Sequence, residues 1–120
     1  MMVTFRHDGV SATLVNTLRA QLAHDAFSAR IPDMDDIPRF KGVKRVFALI
    51  SAYTQEVQGI DWQPPSLFAE EQALLDSLEQ LLSVSSPALL NAWVKAIGEM
   101  FAPLAPPEEQ GDSADQENPT

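Results

Sequence analysis

Proline placement constrains this chain more than any other feature. None of its nine prolines falls within residues 1–31, 39–63, 66–86 or 88–102. A proline inside a helix removes a backbone donor and clashes with the preceding turn, so Pro32, Pro38, Pro64, Pro65, Pro87 and Pro103 mark breaks between elements. Four uninterrupted stretches remain, and each must build its own secondary structure.

The first stretch admits two readings. Met2 to Arg6 alternates loosely, His7-Asp8-Gly9 is a turn signal, and Val10 to Leu14 can return as a second short strand, which makes a β-hairpin. Alternatively a helix starts at a Ser11 cap, places Leu14, Val15, Leu18 and Leu22 on one stripe, and runs to about Ala29. Both hold if the second strand is very short. Ile31 to Pro38, with Asp33, Asp35 and Asp36, is a connecting loop in which Asp36 can cap the next helix and Pro38 can occupy its first turn.

From Phe40 to Val57 the apolar residues Val43, Phe47, Ile50 and Val57, widened by Val46, Leu49 and Tyr53, predict a central helix that Gly59 stops. After a loop carrying Trp62, Ser66 is positioned to cap a third helix reaching about Leu82, with a dense face of Leu67, Phe68, Leu74, Leu75, Leu78, Leu81 and Leu82. Ser86-Pro87 is a helix start, because the hydroxyl caps and the proline ring is preorganised for the first position. The fourth helix gathers Leu89, Leu90, Trp93, Val94, Ile97, Met100 and Phe101 on one face and ends near Pro103. Residues 105–120 are Pro-rich and acidic, too polar to offset the entropy of ordering. The expected fold is therefore mainly α: a small helical bundle of about four helices over 1–104, with a short N-terminal β-hairpin as an option. A disordered acidic C-terminal tail over 105–120 follows it.

The absence of cysteine excludes a disulfide framework, a thiol nucleophile and a thiolate metal site. A formal net charge of -9 opposes general binding to nucleic acid and to anionic membranes, since both depend on neutralising phosphates. Glu108, Glu109, Asp112, Asp115 and Glu117 hold five of the negative charges, and no Lys or Arg follows Lys95. The opening residues lack the apolar run of a signal peptide, and no stretch has the length of a membrane span.

No chemistry-bearing constellation emerges. His7 and His24 lack ligand spacing, and the Asp33, Asp35, Asp36 cluster lacks the glycine and distal glutamate of a calcium loop. Glu70 and Glu71 are explained as helix-start carboxylates that complement the dipole. There is no nucleophile elbow, S-x-x-K signature or Gly-rich phosphate loop. We therefore expect no catalytic, cofactor or metal site and no enzymatic activity. The sharpest local oddity is basic: Arg39, Lys41, Lys44 and Arg45, four of the eight basic residues, crowd the start of the central helix, where the macrodipole disfavours them. They are candidates for contact with an acidic partner or with the chain's own tail, against the plainer reading of a solvated face balanced by the preceding aspartates. The wide apolar faces leave open both an internal core and a groove for a partner helix, a surface that homo-oligomerisation would consume equally.

The run Phe5-Arg6-His7-Asp8-Gly9-Val10-Ser11-Ala12-Thr13-Leu14 resembles the opening of lambda-type (G-like) phage tail assembly chaperones, which begin with a short strand-like segment around an Asn-Gly or Asp-Gly turn. The order of parts that follows, polar helix, linker, apolar central helix, further helical region and Pro-rich acidic tail, is similar along nearly the whole chain. The resemblance implies a protein of the bacterial host cytoplasm, missing from the finished virion. Such a protein binds and solubilises the tape measure protein of a phage or prophage, and with a frameshifted longer form recruits tail tube subunits. A small acidic helical adaptor or secretion-type chaperone for a different partner is the alternative, disfavoured by the expected scarcity of sheet.

Overall fold

The structure, a computed structural model, describes residues 2–101. Strands β1 (Met2–His7) and β2 (Val10–Val15) form an antiparallel hairpin closed by the pair His7 and Val10. Asp8 and Gly9 both take positive φ, 46° and 81°, so the two-residue turn has the twist that matches its strands. Helix α1 spans Leu18–Arg30, α2 Val43–Tyr53, β3 Thr54–Gln58, α3 Glu71–Val84 and α4 Pro87–Phe101. The strands make one antiparallel sheet in the order β1-β2-β3.

The mainly α expectation is thus overturned: the fold is mixed, with four α-helices against a three-stranded antiparallel sheet. The central helix stops at Tyr53, and the residues read as its last turn form β3. Val57 lies seven positions after Ile50 and so fits a helical stripe, but it pairs across the sheet with Ala12. Pairing with β2 prevails over the local period, because the inner strand would otherwise leave a row of buried backbone groups without partners. The register shifts between Thr13 and Leu14, so that Gln55 is the extra residue that lets Thr54, straight out of the helix, sit opposite Leu14. Gly59, at φ 100°, turns the chain out of β3 beside the hairpin turn, where a Cβ would overlap the Gly9 carbonyl oxygen.

The first helix begins at Leu18, not at a Ser11 cap. Thr17 caps it, its Oγ1 accepting from the Ala20 amide at 3.1 Å. Once Leu14 and Val15 belong to a strand, the helical phase resets: Ala20, Ala23 and Phe27 face inward, whereas Leu18 and Leu22 are 72% and 55% exposed. Asp36 caps nothing. Asp33 Oδ1 accepts from the Asp35 amide and Asp35 Oδ1 from Gly42 N–H at 3.0 Å, which folds the connector around a single 3-10 turn at Pro38–Phe40. Phe40 therefore precedes the central helix, and Gly42, at φ 79°, is the bend between them.

The third helix begins five residues after Ser66, so Leu67 and Phe68 fall outside it and Phe68 is exposed rather than on its apolar face. The Ser66 hydroxyl accepts from Phe68 N–H in a local turn, while the Arg30 guanidinium donates to the Leu67 and Ala69 carbonyls and holds them away from helical partners. Helix α4 forms as expected, with Ser86 Oγ accepting from the Leu89 amide at 3.1 Å and Leu89, Trp93, Ile97 and Met100 buried. Two tryptophans knit the layers together. Fully buried Trp93 stacks on Phe5 of β1 at 5.8 Å and donates to Thr54 Oγ1 of β3 at 3.1 Å. Trp62 packs edge-on to Trp93 at 5.9 Å and donates to the Ser77 carbonyl and hydroxyl, tying the loop after β3 to α3. No helix among the described residues is long and apolar enough to cross a membrane. The acidic tail assigned to 105–120 lies outside the described residues.

Candidate functional site

Two concavities meet where the connector enters α2, and Lys41 and Gly42 line both. The first, about 340 Å³, lies between Val43 and Val46 of α2, Leu78 and Leu82 of α3, and Pro87 and Leu90 at the start of α4. It forms because three stripes converge there without a residue large enough to fill the gap; Phe47 makes its floor. Its walls are apolar apart from the Lys41 and Asn91 rims, the composition that seats an aliphatic or aromatic side chain of a partner.

The second concavity, about 650 Å³, is bordered by His24 and Ser28 of α1, Asp35 and Lys41 of the connector, and Lys44, Arg45 and Leu49 of α2. Three of the four basic residues singled out from the sequence therefore converge on one groove. Arg39 stands apart, its guanidinium 4.9 Å above the Phe40 ring, a cation–π contact that keeps it exposed. None of the four makes an ion pair with a carboxylate among the described residues; Asp35 is engaged with Gly42 N–H instead. The plainer reading, a face balanced by the preceding aspartates, finds no contact of that kind. On a chain of net charge -9 this leaves a localised positive field, and partner carboxylates are what it attracts.

A third cavity, about 630 Å³, separates α1 from the end of α2 and the Pro64-Pro65 loop. Ser51 lines it, with a buried hydroxyl that has no hydrogen-bond partner among the described residues. Aromatic rings run from the far end of α2 toward the basic groove. Tyr53 meets Phe101 edge-on at 5.1 Å and His24 at 5.8 Å, and burial first, then the Asp25 carboxylate, pushes the Tyr53 phenol above its ordinary pKa. Among the described residues no group of three or more His, Asp or Glu side chains converges as a metal site would require. The basic cluster was visible in the sequence by residue type alone. The apolar pocket and the Ser51 cavity were not, since each is made by elements distant in the chain. No known protein family matches this chain, and no characterised protein or solved structure matches it either.

Proposed function

We propose that this protein is a non-catalytic protein-binding module of the tail assembly chaperone type, holding a segment of the tape measure protein in the host cytoplasm before tail tube subunits are recruited. The observation that carries the reading is the junction at Lys41 and Gly42, where an apolar pocket stands beside a basic groove whose cations make no ion pair among the described residues. An amphipathic helix fits such a corner, with an apolar residue anchored between α2, α3 and α4 and carboxylates on its flank over Lys41, Lys44 and Arg45. The hairpin built around Asp8-Gly9 supports the resemblance from which the partner is taken. A long helical partner exposes many such segments, and a small acidic binder that covers them keeps the complex soluble by net charge.

Co-expression with the candidate tape measure protein, followed by size-exclusion chromatography, tests the reading. Co-elution is expected, and Val46→Glu, which puts a charge into the apolar pocket, is expected to abolish it while the circular dichroism spectrum is retained. Separate elution of the two wild-type proteins overturns the assignment.

The alternative of an adaptor or secretion-type chaperone for a different partner gains from one observation. The scarcity of sheet that weighed against it does not hold, because three strands are present. A gene neighbourhood with no tape measure gene, together with capture of a secreted acidic protein by the same corner, favours that reading.

A further inference from the structure

Helix α4 ends at the far end of α2 from the basic groove, and aromatic contacts lead from there to the groove's border. Its last described residue, Phe101, rests edge-on against Tyr53, and Tyr53 rests against His24, which borders the groove together with Lys41, Lys44 and Arg45. Residues 102–107 carry no charge, and residues 108–117 carry five carboxylates and no Lys or Arg. Glu108 lies seven positions after Phe101, and an extended chain of seven steps spans up to about 23 Å. From Tyr53 back to Lys44 the helix rises about 14 Å. The carboxylates therefore have the reach, and Pro103, Pro106 and Pro107 stiffen the spacer that carries them.

We propose that the acidic segment 108–117 docks in cis on the groove of Lys41, Lys44 and Arg45 and occupies it until a partner displaces it. The importance of that displacement rests on the docking role argued above, but the contact itself does not. Each exposed ion pair contributes little, and the tether supplies what the pairs lack, since a short linker holds the carboxylates at millimolar effective concentration. Asp35 in the connector borders the same groove and limits how many carboxylates it accepts. The contact is thus electrostatic and exchangeable, and salt at a Debye length of a few ångströms dissolves it.

The chain has only three lysines, Lys41, Lys44 and Lys95, which makes a direct test available. The full-length protein is treated with a zero-length carbodiimide at micromolar concentration and low salt, and the monomer band is digested and mapped. Isopeptide links from Lys41 or Lys44 to Glu108, Glu109 or Asp112 are expected to exceed links from Lys95, although Lys95 is nearer in sequence and exposed. The Arg39→Glu/Arg45→Glu variant, which leaves every lysine in place, should lower those links several-fold, as should 1 M salt. Links centred on Lys95, links confined to the dimer band, or yields indifferent to salt and to the arginine changes overturn the proposal. Tail docking without co-elution of a tape measure protein would leave this contact standing and remove the phage assignment; co-elution without the links would do the reverse.

Discussion

The two edges of the sheet are treated in opposite ways. In β3, Val57 lies opposite Ala12 at a position whose backbone N–H and C=O point away from β2, and the Gln63 side chain takes both. Its Oε1 accepts from Val57 N–H at 3.1 Å while its Nε2 donates to the Val57 carbonyl, so one carboxamide stands in for a peptide unit of a fourth strand. At the other edge no such closure is present among the described residues. Because the two-residue turn makes His7 and Val10 a bonded pair, pairing alternates back along β1, and the backbone groups of Met2, Thr4 and Arg6 face outward. The difference teaches where pairing capacity is retired and where it is kept. The β3 edge runs into buried Trp62 and must be satisfied internally, whereas the β1 edge is met by solvent and carries Arg6 as its deterrent to other strands.

The largest expected effect comes from removing what the two edges share. Trp93→Ala deletes the Phe5 stack at one edge and the Thr54 hydrogen bond at the other, and should cost about 3–5 kcal/mol in urea unfolding. A paired substitution then breaks the comparison or upholds it. Val3→Pro removes a donor that faces β2 and should cost about 2–3 kcal/mol, while Thr4→Pro removes one that faces outward and should cost less than about 1 kcal/mol. Equal costs would mean that β1 is not an open edge.

Gln63→Ala sharpens the other side. It should cost about 1–2 kcal/mol and raise hydrogen exchange selectively at the Val57 amide. The smallest effect concerns pH. Burial and Asp25 raise the Tyr53 pKa in the folded state, so stability is full below the ordinary tyrosine value and declines as pH rises through it toward the folded value. Tyr53→Phe should flatten that alkaline decline, and phenolate absorbance can be followed cleanly because Tyr53 is the only tyrosine.

Legibility in the sequence followed the range of the interactions. Helix α4 was readable throughout because its cap, its proline and its stripe are all local. The turn at Asp8-Gly9 was readable for the same reason. What failed depended on distant partners: β3 exists because β2 needs a neighbour, and the delayed start of α3 coincides with Arg30 holding two carbonyls from 37 and 39 residues away. Leu18 and Leu22 were placed inside because their spacing is helical, and spacing alone does not say which face meets the core. The site divides in the same way. Four cations in seven residues are seen at once, whereas a pocket lined by α2, α3 and α4 is visible only after folding.

Helix α2 passes into β3 at Tyr53 and Thr54 with no intervening loop. The first turn of α2 carries Lys44 and Arg45, and the strand at its other end is the one that Gln63 and Trp93 hold. A loop would absorb a displacement; a helix welded to a strand conveys it. Occupancy of the corner by a partner is therefore expected to be reported at the opposite end of this single strut, as altered amide protection in residues 54–58, by a route that needs no change elsewhere in the molecule.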